Sequence, residues 1–214
     1  MASLVVANNK TALEIVKQVG IDWVCSLKNT TMKKTSPGSL KWLFWGEQPS
    51  DQSLMIKAGK MGEELAKKMI TVSGLNLLTC GPQIVAADGK KKDLDLIWMD
   101  HNKKIVYLRE LKGNIELDSE KLPATFEKIP TVFKPWLESQ YPEYTINTGI
   151  LNWGVYERSD LSVGLSHIRS CEKADVHVEH FGDFCTLIGF EWTKDDFYEY
   201  FKERGTELRC IIDY

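Results

Sequence analysis

Asp93 and Asp95 in KKKDLDLIWM, with Glu110 and Lys112 in IVYLRELKG, are the residues best suited by type and spacing to catalysis. The segments that carry them read as strands, and the polar run Asp100-His101-Asn102-Lys103-Lys104 reads as the turn between them. Strands joined so closely must pair antiparallel. Centring the hairpin on Asn102-Lys103 sets Asp95 opposite Glu110 and Asp93 opposite Lys112. Opposed residues share a face, with Cβ atoms about 4.5–5.5 Å apart. The two-residue strand period keeps Asp93 with Asp95, and Glu110 with Lys112, on that face. A slip of one residue would scatter them to opposite faces.

Carboxylates gathered on one face repel one another unless a positive charge lies among them. A hard divalent cation answers that need, and Mg²⁺ takes a few carboxylate oxygens together with waters and phosphate oxygens. Such a metal polarises a phosphodiester and acidifies a bound water. Lys112 beside it would orient the water and offset charge growing on the phosphorane. The expected metal ligands are Asp95 and Glu110, with Asp93 as the alternative to Asp95. Asp95 is preferred because it directly precedes the apolar LIWM and opposes Glu110. The flanks LIWM and IVYL also set this pattern apart from an ordinary solvated strand face, since they place a charged cluster at one end of buried strands.

Asp95 ahead of LIWM, followed by Glu110-Leu111-Lys112, resembles the signature of the PD-(D/E)XK nuclease superfamily. The run ELKGNIELDSEK, Glu110 to Lys121, resembles small type II restriction endonucleases in particular. The resemblance spans Gly59 to Tyr156, and Leu94 stands where the signature has Pro. It implies a restriction-endonuclease-like α/β fold with a central mixed β-sheet flanked by helices. It implies Mg²⁺-dependent hydrolysis of double-stranded DNA at a specific short sequence, leaving 5′-phosphate and 3′-hydroxyl ends. A further metal-binding carboxylate on the preceding helix is also implied, and Glu63 in KMGEELAKK is the choice. A palindromic target implies a homodimer, and a cognate DNA methyltransferase is a further partner. Two other readings stand beside this one. The first is a structure-specific repair or recombination nuclease of the same superfamily. The second is a non-catalytic DNA-binding protein that keeps the fold.

The elements that must hold these residues alternate between helical and extended patterns, the mark of a mixed α/β domain. Ala12, Ile15, Val16 and Val19 recur at helical spacing before Gly20, with Asn9 or Thr11 near the cap. Leu54, Met61, Leu65, Met69 and Ile70 predict a helix over 53–73, with Gly74 as its C-cap. Short strands are expected over 75–78 and 84–87. A helix over 118–138 is interrupted by Pro123, Pro130 and Pro135. Further strands are expected over 146–156, 176–180 and 185–192. A C-terminal helix over 194–204 turns Phe197, Tyr200 and Phe201 inward and stops at Gly205. One endonuclease domain over 1–214 is expected, with its catalytic core at 53–156. The polar segment from Leu27 to Lys41 reads as an exposed loop, and its Lys33 and Lys34 are candidates for DNA contact. Ser119, Lys121 and Thr125 are candidates for phosphate contact after the Glu110 strand.

The chain of 214 residues is long enough for a proper core, and 43% hydrophobic with 27% charged residues is a globular composition. A net charge of -3 does not favour nucleic acid, but it says nothing of how Lys and Arg are distributed. No apolar run is long enough to span a bilayer, so no membrane partner is expected. Met1 to Lys10 lacks a basic start followed by a long apolar stretch, so no signal peptide is expected. Five scattered cysteines without a CxxC pair argue against a paired-cysteine zinc site and read as free thiols of a cytoplasmic protein. His177 and His180 lie three apart on a predicted strand and so face opposite ways, against a shared metal. The tryptophans read mostly as core. Gly-rich phosphate loops and GxSxG are absent from the sequence.

Overall fold

The computed structural model describes residues 2–28, 32–85, 91–115 and 122–212, and the predicted hairpin lies at its centre. β4 (Leu96–Asp100) and β5 (Ile105–Lys112) pair antiparallel, with Leu96 opposite Arg109 and Asp100 opposite Ile105. This is the register that a turn centred on Asn102-Lys103 implies. The Asp100 carboxylate closes the turn by accepting the Asn102 and Lys103 N–H groups, each at 3.0 Å. Lys104 takes the left-handed conformation, with φ 53°. β6 (Thr145–Asn152) runs parallel to β5, and β7 (His177–His180) runs parallel to β6. With β1 (Asn76–Leu77) antiparallel to β4, the result is a five-stranded mixed sheet in the order β1-β4-β5-β6-β7.

Helices cover both faces of this sheet, which is why the runs Leu96–Met99 and Ile105–Leu108 of its central strands are apolar on both faces instead of alternating. On one face Trp98, Tyr107, Leu111 and Leu151 join a core with α1 (Ala2–Leu27), α3 (Asp51–Val72), α7 (Phe181–Ile188) and α8 (Lys194–Ile212). On the other, Ile97, Met99, Val106, Leu108 and Ile150 join α4 (Leu122–Lys128), α5 (Lys134–Gln140) and α6 (Leu165–Lys173). A π-helical turn, Ile129–Phe133, connects α4 to α5. Among the described residues no helix is long and apolar enough to cross a membrane. All five cysteines are free thiols.

Several local expectations change. The chain before Asp95 does not stay beside β5. Instead β3 (Lys91–Leu94) pairs antiparallel with β2 (Gly81–Val85), so Asp93 lies opposite Pro82 and not opposite Lys112. Segment 185–192 is not a strand. Phe181, Phe184, Cys185 and Ile188 bury one helical face of α7, and Gly189 ends that helix with φ 67°. A short apolar run does not distinguish strand from helix by periodicity alone. α8 passes through Gly205 to Ile212, since Gly inside a helix costs only about 1 kcal/mol. α1 likewise passes through Gly20, where a Cβ would meet the Tyr200 hydroxyl at 2.0 Å. The prolines do not leave broken helix, because Pro123 and Pro135 stand at second positions of α4 and α5 and Pro130 lies in the π-turn.

The described part of the segment expected as an exposed loop is tied to the chain that follows it. Thr35 N–H donates to the Gln48 carbonyl at 2.7 Å, and Ser50 N–H donates to the Lys33 carbonyl at 2.8 Å. α2 (Leu40–Trp45) follows, with the Ser39 hydroxyl capping Trp42 N–H at 3.1 Å. Its Trp42, Leu43 and Phe44 are exposed, so not every tryptophan belongs to the core.

Candidate active site

The departure of β3 opens the sheet at one residue. Leu94 lies opposite Gly81 in the small sheet, and Leu96 lies opposite Arg109 in the large one, so Asp95 is the bend between them. Beyond this bend β5 has lost its neighbour on that side, and a buried backbone N–H needs a partner. The Asp95 carboxylate supplies one, its Oδ2 accepting Leu111 N–H at 2.8 Å. Continuing the β4–β5 register by one residue sets Asp95 across from Glu110. Glu110 is buried, with Val106 and Leu108 before it on the same face of β5. Burial and the charge of Glu110 push the Asp95 carboxyl up to about 7, while Leu111 N–H and the Lys128 ammonium pull the other way.

Lys112 Nζ lies 3.7 Å from Glu110 Oε1. A second ammonium lies closer: Lys128, the last residue of α4, donates to the same oxygen at 2.8 Å. Sequence reasoning missed Lys128, because no local pattern in α4 marks it and only tertiary packing brings it to β5.

Glu63 on α3 is half-buried and near enough for its charge to act on Asp95. Burial raises its own carboxyl, opposed by Lys67, whose Nζ stands 3.9 Å away. Among the described residues no three His, Cys, Asp or Glu side chains converge as a metal cage. Asp95 and Glu110 are brought together across the hairpin, with Glu63 on the neighbouring helix α3. Asp93 is exposed on the small sheet. Thr125 is buried inside α4, in contrast to the expected phosphate contact. Ser119 and Lys121 lie outside the described residues. Lys33 and Lys34 are exposed, and Lys34 Nζ pairs with Glu47 at 3.1 Å. His177 is exposed and His180 buried, facing opposite ways as their spacing implied. His180 and Asp183 cap α7 reciprocally, and burial lowers the imidazole pKa.

Trp153 ties the site-bearing elements together. Its backbone N–H donates to the Lys112 carbonyl at 3.0 Å. Its indole lies where a Cβ on Gly62 would come within 2.3 Å and one on Gly113 within 3.0 Å. Glu63 follows Gly62 and Lys112 precedes Gly113, so one ring spaces α3 from the end of β5. The next residue, Gly154, passes so close that a Cβ there would sit 1.8 Å from the Gly113 carbonyl oxygen. Backbone cannot swing aside as a side-chain tip can. Gly154→Ala is therefore expected to destabilise the protein by about 2–3 kcal/mol, measured as a lower urea midpoint with unchanged m-value. An unchanged midpoint would show that this crossing yields without cost.

Two opposed carboxylates fit Mg²⁺, which binds through one or two carboxylates and otherwise keeps waters or phosphate oxygens. Their proximity in a half-buried setting disfavours two bare charges and so favours a cation between them. Compared with family models, curated proteins and solved structures, the chain finds no match in any of the three.

Proposed function

We propose that this chain is a Mg²⁺-dependent endonuclease that hydrolyses phosphodiester bonds of double-stranded DNA at a specific short sequence. One observation carries the reading. Asp95, at the bend where β3 leaves the sheet, faces Glu110 across the hairpin register, and Lys112 follows two residues on along the same strand face. Asp95 and Glu110 would hold the cation. Bound Mg²⁺ would polarise the phosphodiester and lower the pKa of a coordinated water.

The chain's own groups do the rest. Leu111 N–H orients the Asp95 carboxylate. The ammonium of Lys112 donates hydrogen bonds to the attacking water and offsets charge that grows on the phosphorane. Glu63, whose charge acts on Asp95, would join Asp95 and Glu110 as a further ligand, directly or through water. Lys33 and Lys34, exposed on the segment tied to Ser50 and Gln48, face DNA phosphates, where such contacts set position and not sequence. A palindromic duplex is matched by a two-fold dimer in which each protomer cuts one strand. A DNA methyltransferase protecting the same sequence is the partner such an activity calls for. A reducing cytoplasm suits its free thiols.

The test is incubation of the purified protein with large unmethylated DNA, with Mg²⁺ and with EDTA, beside Lys112→Ala. Discrete fragments that require Mg²⁺ and fall by roughly 10²–10³-fold in rate in the variant are expected. Nicking or smearing lost in the variant would point to a nuclease that reads DNA structure. Absence of cleavage, or cleavage that Lys112→Ala leaves unchanged, would overturn the proposal.

A further inference from the structure

Lys128 joins α4 to the carboxylate pair. Its ammonium donates to Glu110 Oε1 at 2.8 Å, whereas Lys112 stands 3.7 Å from the same atom. It also lies 5.0 Å from the centroid of the fully buried Phe133 ring, at the distance of a cation–π contact. Two anchors, one anionic and one aromatic, thus hold it over β5. α4 ends at Lys128 and continues into the π-helical turn Ile129–Phe133. That wider turn carries the chain from Lys128 to Phe133, and π-helical turns recur at functional sites.

We infer that Lys128 is the resident counter-cation of the Asp95–Glu110 pair, which it keeps assembled without metal and from which a divalent ion must displace it. This rests on reading that pair as a metal site. The physical reason is charge. Two carboxylates in a half-buried setting need a neighbouring positive charge, and an ammonium hydrogen-bonded to Glu110 meets that need at a distance where like-charge repulsion toward an arriving cation is strong. Metal and ammonium therefore compete for Glu110. Lys128 is in this sense a positioning residue: it holds Glu110 in place on β5 and sets how tightly a cation is held. A merely structural brace would support the fold equally with and without metal.

Isothermal titration of the full chain with Ca²⁺ at pH 8 tests this, comparing wild type, Lys128→Gln, Lys128→Arg and Asp95→Asn. Lys128→Gln is expected to bind Ca²⁺ about tenfold more tightly than wild type, because a repelling charge is gone. Lys128→Arg is expected to restore the wild-type affinity. The melting temperature of Lys128→Gln is expected to fall without Ca²⁺ and to recover toward wild type when Ca²⁺ saturates. Affinity in Lys128→Gln that equals or falls below wild type, with Asp95→Asn still abolishing binding, would overturn the inference while leaving the metal site standing. If Asp95→Asn binds Ca²⁺ as wild type does, the metal site itself fails, and the inference with it.

Discussion

Asp95→Asn is expected to lower cleavage by roughly 10³-fold and, at the same time, to make the metal-free protein more stable above neutral pH. The two effects have one cause. In the fold, burial and the adjacent Glu110 push the Asp95 carboxyl up to about 7, against about 3.9 for an unperturbed aspartate. A raised carboxyl favours the native state while it is protonated. Its contribution is fully present below about pH 4, falls as pH rises toward 7, and is lost above that. At 1.36 kcal/mol per pH unit the loss is about 4 kcal/mol as an upper bound. Asn keeps a side-chain oxygen to accept Leu111 N–H but carries no charge, so it does not titrate. Urea unfolding of wild type and variant at pH 5 and pH 8, in EDTA, measures the difference. The wild type should lose more stability between the two than the variant does. Parallel pH dependence in both proteins would remove Asp95 as the strained group.

The largest loss of stability is expected from Glu179→Gln. Arg109 is 1% exposed, and its guanidinium is fully engaged. It donates from Nε to Glu179 Oε2 at 2.8 Å and from Nη2 to Glu179 Oε1 at 2.6 Å. It also reaches Asn147 Oδ1 at 2.8 Å and the Leu108 carbonyl at 2.9 Å. Its central carbon lies 5.7 Å from the ring centroids of both Trp98 and Tyr107. The pair spans β6 to fasten β5 to β7, on the face opposite Glu110. Removing the carboxylate leaves a buried guanidinium without its counter-charge, at about 3–5 kcal/mol. The double replacement Arg109→Met with Glu179→Leu should regain most of this, because it removes both buried charges together. Denaturant midpoints of the three variants decide the matter. A mild Glu179→Gln would mean that Asn147 and the carbonyls alone suffice for Arg109.

The sequence alone determined the parts of this protein that depend on neighbours along the chain. The polar turn Asp100–Lys104, with a strand-like run on either side, admits one register when centred on Asn102-Lys103, and the observed pairing of Leu96 with Arg109 and of Asp100 with Ile105 follows from it. That local logic was enough to place Asp95 and Glu110 together. The long helix α3, the strands β6 and β7 and the inward face of α8 were legible for the same reason, since their apolar periods run within single segments. What only the tertiary structure decided involves partners distant in sequence. Asp93 was assigned to the hairpin face because alternation knows nothing of β2, whose pairing with β3 takes that residue away. Lys128 reaches Glu110 from a helix on the other side of a connection, and a lysine there looks like any solvated one until α4 is packed. Arg109 and Glu179 find each other across β6 by sheet order, which no period in either strand encodes. In a sheet the strand period states which way a side chain points, while the choice of neighbouring strand states whom it meets, and that second choice is made by packing of the whole chain.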